Sequence, residues 1–150
     1  MKISESKLAA MIEQETAAKA LLLGFASDDP EVREQTMAQL RPTSDDYGAA
    51  FLGDAVEAVR QHSERMWRKA SPPRLGSRRT LLIKTTPAEG LHMDRNWPGG
   101  YRKLEGKVQP GLVWHAWKFV EPGETSGLAF DALTRIDGRF VWFPKPFRAV

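Results

Sequence analysis

VWHAWKFV (113–120), SGLAFDALTRI (126–136) and RFVWF (139–143) are β-prone runs joined by short turns, and their reading decides the fold. Asp137-Gly138 separates the second run from the third. Both central residues of a type I′ hairpin turn need positive φ, which Gly adopts freely and Asp tolerates. Glu121-Pro122-Gly123-Glu124-Thr125 separates the first run from the second, with Pro followed by Gly supplying turn chemistry. An antiparallel meander is therefore expected over the last third of the chain.

Counting outward from Asp137-Gly138 places Ile136 opposite Arg139, Leu133 opposite Trp142 and Asp131 opposite Pro144. If Val120 pairs with Ser126, His115 falls opposite Asp131. One face then carries His115, Trp117, Phe119, Ala129, Asp131, Leu133, Phe140 and Trp142. The other carries Trp114, Ala116, Leu128, Phe130, Ala132, Ile136, Val141 and Phe143. Both faces are mainly apolar, so the sheet needs helices on one side and a cavity or partner on the other. A one-residue slip would move His115 to the opposite face.

The remaining elements are read outward from this meander. Arg79 to Thr86 is expected to be a strand, because Leu81-Leu82-Ile83 is bounded by breakers. Pro87 to Leu91 resembles a helical turn capped by Thr86, Met93 to Gly100 a loop over a cavity mouth, and Tyr101 to Gly106 a further strand. Upstream, helical spacing runs from Ser4 to Leu23, with Leu8, Met11, Ile12, Ala18, Leu21 and Leu22 as its apolar stripe and Gly24 ending it. Asp29-Pro30-Glu31 opens a second helix that Arg41-Pro42 stops. Thr43 with Asp46 forms an acidic capping box for a short third helix. The last, about Ala55 to Lys69, carries Val56, Val59, Ser63, Met66 and Trp67. The fold class is α+β, helical over about 4–70 and sheet over about 79–144, in one domain.

With 150 residues the chain can build one well-cored domain. It has no cysteine, which excludes disulfides and thiolate metal sites. No apolar run has the length of a signal-peptide core or a membrane span, so a cytoplasmic protein that does not enter a membrane is expected. The net charge is +3, and Arg60, Arg65, Arg68, Lys69, Arg74, Arg78, Arg79 and Lys84 concentrate the basic excess. A solvated loop, broken by Pro72-Pro73 and Gly76-Ser77, accounts for much of this run. Nucleic acid is not expected as a partner, since no stacking platform accompanies the charge.

His115 with Asp131 is the pair that bears on chemistry, because a carboxylate beside an imidazole orients it and raises its basicity. Trp117 and Trp142 on the same face would lower the local polarity. The pair reads either as a proton-abstracting dyad or as a core histidine satisfied by one acid. His62 and His92 have no second histidine at ligand spacing, so neither a metal nor a cofactor is expected. No nucleophile-elbow pattern surrounds Ser126-Gly127, and Pro98-Gly99-Gly100 lacks the Lys of a phosphate loop. At the C-terminus, Pro144 and Pro146 end the last strand. Phe147 with Lys145 and Arg148 offers an alternative partner-binding edge.

The order of helices before sheet, with LRPTSDDYGAAF, the Met66-Trp67 helix end, EPGETSGLAFDAL and IDGRFVWFPKPFR, resembles bacterial proteins of the nuclear transport factor 2-like (cystatin-like, ketosteroid-isomerase-like) type. The resemblance implies a curved sheet wrapped around helices, leaving a conical pocket. Such folds host isomerases, dehydratases and non-catalytic binding or dimerising domains. Three readings follow. The first is a non-catalytic domain binding a small apolar ligand or protein partner through Trp117, Phe119, Leu133, Phe140, Trp142 and Trp97, with a homodimer as one arrangement. The second is an isomerase-like or dehydratase-like enzyme using Asp131 as base with His115. The third is an immunity-type or regulatory inhibitor.

Overall fold

A computed structural model describes residues 3–150. The chain runs α1 (Glu5–Leu22), α2 (Pro30–Gln39), α3 (Ser44–Ala50), α4 (Ala55–Arg68), β1 (Thr80–Pro87), β2 (Val113–Val120), β3 (Gly127–Ile136) and β4 (Arg139–Trp142). The 3-10 segments Leu23–Ala26, Ala88–Met93, Gly99–Leu104 and Pro146–Ala149 complete it. The fold is α+β, with helices preceding a four-stranded antiparallel sheet in the order β1-β2-β3-β4.

Local chemistry sets the helix starts. Glu31 N–H donates to the Asp29 carboxylate at 2.9 Å, with Pro30 at the first helical position. At α3 the Thr43 N–H donates to Asp46 Oδ2 at 2.6 Å, and the Arg139 guanidinium reaches the same carboxylate. One aspartate thus caps a helix and ties it to the β3–β4 hairpin. Along α1 the buried stripe is Met11, Gln14, Ala18 and Leu22, while Leu8 and Ile12 are exposed. The segment expected as a strand at Tyr101–Gly106 instead falls in the 3-10 turn Gly99–Leu104 and the turn that follows it. Tyr101 and Leu104, three residues apart, are its buried positions, a spacing that suits a helical turn and not a strand. Thr86 does not cap the following turn; its hydroxyl donates to Asp94 and accepts from Trp97 Nε1.

The β3–β4 register is the one counted from the turn. Ile136 faces Arg139 and Leu133 faces Trp142, with Asp137 and Gly138 at φ 51° and 78°. No ladder pairing joins Asp131 to Pro144; the last pair is Leu133 with Trp142. Between β2 and β3 the expectation fails twice. Val120 pairs with Gly127, not Ser126, and a bulge then skips Ala132, so His115 faces Leu133 and Ala116 faces Asp131. Ala132 takes the extra position at φ 72°. Side chains alternate, so this inserted residue switches the face of every β3 residue before it. Leu128 and Phe130 join Trp117, while Ala129 and Asp131 lie on the opposite face from His115.

Two cores result, one per face. His115, Trp117, Phe119, Leu133 and Phe140 share the face that α1, α2 and Trp67 cover, together with Leu22, Phe25 and Met37. On the other face, Trp114, Ala132, Val141 and Phe143 pack with Tyr47 and Phe51 from α3 and its end, Val59 of α4, and Leu91 and Tyr101 of the 3-10 segments. Trp67 joins the layers, its indole N–H donating to the Trp142 carbonyl at 3.2 Å.

Candidate functional site

His115 has no solvent exposure and both ring nitrogens are occupied. Thr85 Oγ1 donates to the Glu15 carboxylate at 2.7 Å, so toward His115 Nδ1, at 2.8 Å, it acts as acceptor. Gln14 Nε2 lies 2.8 Å from His115 Nε2 and 3.2 Å from the Val113 carbonyl. An amide NH₂ only donates, so Nε2 accepts and the Nδ1–H tautomer of the neutral ring fits. Burial, and secondarily the Arg135 charge, lowers its pKa to about 4. The network clamps α1 to β1 and β2, leaving the imidazole no free position for a substrate.

Asp131 has a different setting. It is buried, and Tyr101 Oη donates to its Oδ1. Burial raises its pKa, while the Tyr101 bond and the charges of Lys145 and Arg148 draw it back. Burial and the neighbouring carboxylate push Tyr101 well above the usual phenol range, so the phenol remains the donor. The expected juxtaposition of His115 and Asp131 is overturned, because the Ala132 bulge puts them on opposite sides of the sheet.

The uncovered part of the molecule lies beside Asp131. By register, Lys84, Ala116 and Asp131 form one row across β1–β3, and Leu82, Lys118 and Ala129 form the next. Both rows belong to the Trp114 face but extend beyond the segments that cover Trp114. They floor a groove of about 840 Å³, bounded by Asn96, Trp97 and Pro98. Lys84 Nζ donates to Asn96 Oδ1 at 2.6 Å and anchors that wall. A second groove, about 780 Å³, runs between Ala129–Asp131 and the C-terminal end of α4, with Met66, Trp142 and Lys145 on its sides.

Of the aromatic and aliphatic residues read as a binding surface, Phe119 and Leu133 are fully buried and Phe140 is nearly so, beneath the helical layer. Around these three residues that face is filled by the chain's own helices. Trp97 and Trp117 line the first groove and Trp142 the second. Phe147 is not an exposed edge residue: its ring packs on Tyr101 at 4.9 Å and fills the space a Cβ at Gly100 would occupy. The basic run is dispersed. Arg60 pairs with Glu57 and Glu64, Arg79 with Asp28, and Arg78 donates to the Leu75 carbonyl. Arg65, Arg68 and Lys69 line the second groove.

Gln14, Thr85 and Tyr101 were missed from the sequence. The available signal for Gln14 was a polar residue at helical spacing within the stripe Met11, Ala18 and Leu22. For Tyr101 it was an aromatic residue directly after Gly99-Gly100. Among the described residues, no group of three or more acidic or histidine side chains gathers at metal-binding distance, and no helix is long and apolar enough to cross a membrane. No family model, curated protein or solved structure matches this chain.

Proposed function

We propose that this protein is a non-catalytic binding domain that holds a small, mainly apolar ligand on the open half of its sheet. The observation that carries this reading is the groove along the rows Lys84–Ala116–Asp131 and Leu82–Lys118–Ala129, ending against Trp97 and Pro98. Small side chains at Ala116 and Ala129 leave depth, and Trp97 gives a flat apolar wall. Lys84 and Lys118 can hold a polar or anionic group at the ligand's edge. The separation of His115 from Asp131 favours binding over proton transfer, since a dyad needs both groups within reach of one substrate atom. The order of helices before meander also supports grouping the chain with nuclear transport factor 2-like rolls.

Titration with 1-anilinonaphthalene-8-sulfonate tests the reading. The folded protein should enhance the dye's fluorescence saturably, and Ala129→Glu should remove the enhancement without changing the unfolding midpoint. Equal enhancement by that variant, or none by the parent protein, counts against the proposal.

A further inference from the structure

The second groove runs along an unpaired stretch of strand edge in the middle of the sheet, where β4 stops short of the start of β3. β3 spans Gly127–Ile136, but β4 pairs with it only from Leu133 onward. Past Trp142 the chain turns away: Phe143 N–H donates to the Ala132 carbonyl at 3.0 Å, and Pro144 has no N–H to continue the ladder. Gly127–Asp131 therefore has β2 on one side and no strand on the other, over about 17 Å of extended chain.

Which backbone groups face that open side follows from one bond. Trp142 Nε1 donates to the Asp131 carbonyl at 2.8 Å, so this carbonyl points away from β2. In an antiparallel ladder the direction alternates residue by residue, so the N–H and C=O of Ala129 point the same way. Ala129 is exposed, and its backbone N–H and C=O have no hydrogen-bond partner on that side among the described residues. Exposed strand edges of this kind are templates for strand addition.

The groove beside the edge specifies the occupant. Arg65, Arg68, Lys69 and Lys145 line it, and none pairs with a carboxylate among the described residues. Its one acid, Asp131, is already bonded to Tyr101. Met66, Phe130 and Trp142 supply apolar surface between the cations. We propose that the free edge of β3, Gly127–Asp131, accepts an added strand from a protein partner, an extended segment rich in Asp and Glu. Main-chain hydrogen bonds to Ala129 set its register, and the α4 end and Lys145 select its charge. This goes beyond the ligand groove and does not depend on it.

The test uses the intact protein and a fluorescein-labelled peptide of alternating glutamate and valine, followed by anisotropy. It should bind saturably, and the peptide with lysine in place of glutamate should not. N-methylation of alternate peptide amides should weaken binding by about tenfold or more on one of the two alternations and little on the other. Ala129→Pro, which removes only an outward-facing N–H, should abolish binding, and R68E/K69E should reduce it with a weaker salt dependence. Equal binding of the N-methylated peptides overturns the proposal, because charge alone would then explain the contact. Failure of the glutamate peptide to bind, or displacement of it by short oligothymidine at equal concentration, overturns it as well.

Discussion

The two faces of the sheet receive the same strands and treat them differently. On the α1 face, Thr85, His115, Leu133 and Trp142 form a row under the helices, and its histidine is closed off by Gln14 and Thr85. On the other face, the row Thr86–Trp114–Thr134–Val141 lies under core, the row through Ala116 is half-covered, and the row Leu82–Lys118–Ala129 borders open groove. His115 on one face and Asp131 on the other are both buried. His115 is neutral within a complete network, whereas Asp131 has a single protein donor and borders both grooves. The contrast teaches that the chemistry-bearing residues are closed off by the chain itself, and that the open surface lies where covering ran out.

The largest disturbance to this contrast is deletion of Ala132, which restores regular alternation. It turns Leu128 and Phe130 out of the helical layer and drives Asp131 into it, so the fold should lose more than about 4 kcal/mol, read by urea denaturation. Retention of stability would mean that the bulge does not assign the faces.

The second effect is pH-dependent. The folded-state pKa of His115 lies near 4, below the ordinary value of 6.5, so the unfolded chain binds more protons between these limits. Stability from this residue is complete above about pH 6.5 and is lost as pH falls toward 4, by about 3 kcal/mol in all. In His115→Gln that part of the acid-side slope should vanish. Asp131 works in the opposite sense: its raised pKa makes the folded state the better proton binder, so its contribution declines as pH rises through the folded pKa. Asp131→Asn should therefore raise stability at neutral pH relative to that at acid pH, and an unchanged difference would mean that Asp131 is not desolvated.

Tyr101→Phe removes the donor to Asp131 and should cost about 1–3 kcal/mol. The loss should be greater at neutral pH than in acid, since the lost bond favours the carboxylate. The smallest effect belongs to the open face, where Ala129→Ser should shift stability by no more than about 0.5 kcal/mol in thermal unfolding. A larger loss would show that this position is covered.

Legibility in the sequence followed the range of the interaction. Asp137-Gly138, Asp29-Pro30 and Thr43 with Asp46 were readable because their geometry is settled by neighbours a few residues away. Tyr101 was misread because an aromatic residue after Pro-Gly-Gly is compatible with strand or turn until it meets Asp131 and Phe147. The pairing of His115 was misread because nothing in GLAFDALTRI announces that an alanine will take a left-handed conformation. That conformation is unfavourable locally and is held by the buried surroundings of Ala132.

The sequence by itself determined the α+β class, the placing of helices before the sheet, the hairpin register around Asp137-Gly138 and the absence of thiol chemistry. Turn preference, capping and hydrophobic alternation act over a few bonds, so local residues are sufficient. Tertiary structure alone decided which face each half of β3 presents, which strand edge stays unpaired and that His115 and Asp131 never meet. Those outcomes rest on contacts between residues up to about a hundred positions apart, such as Gln14 with His115, and only closure of the chain brings such residues together.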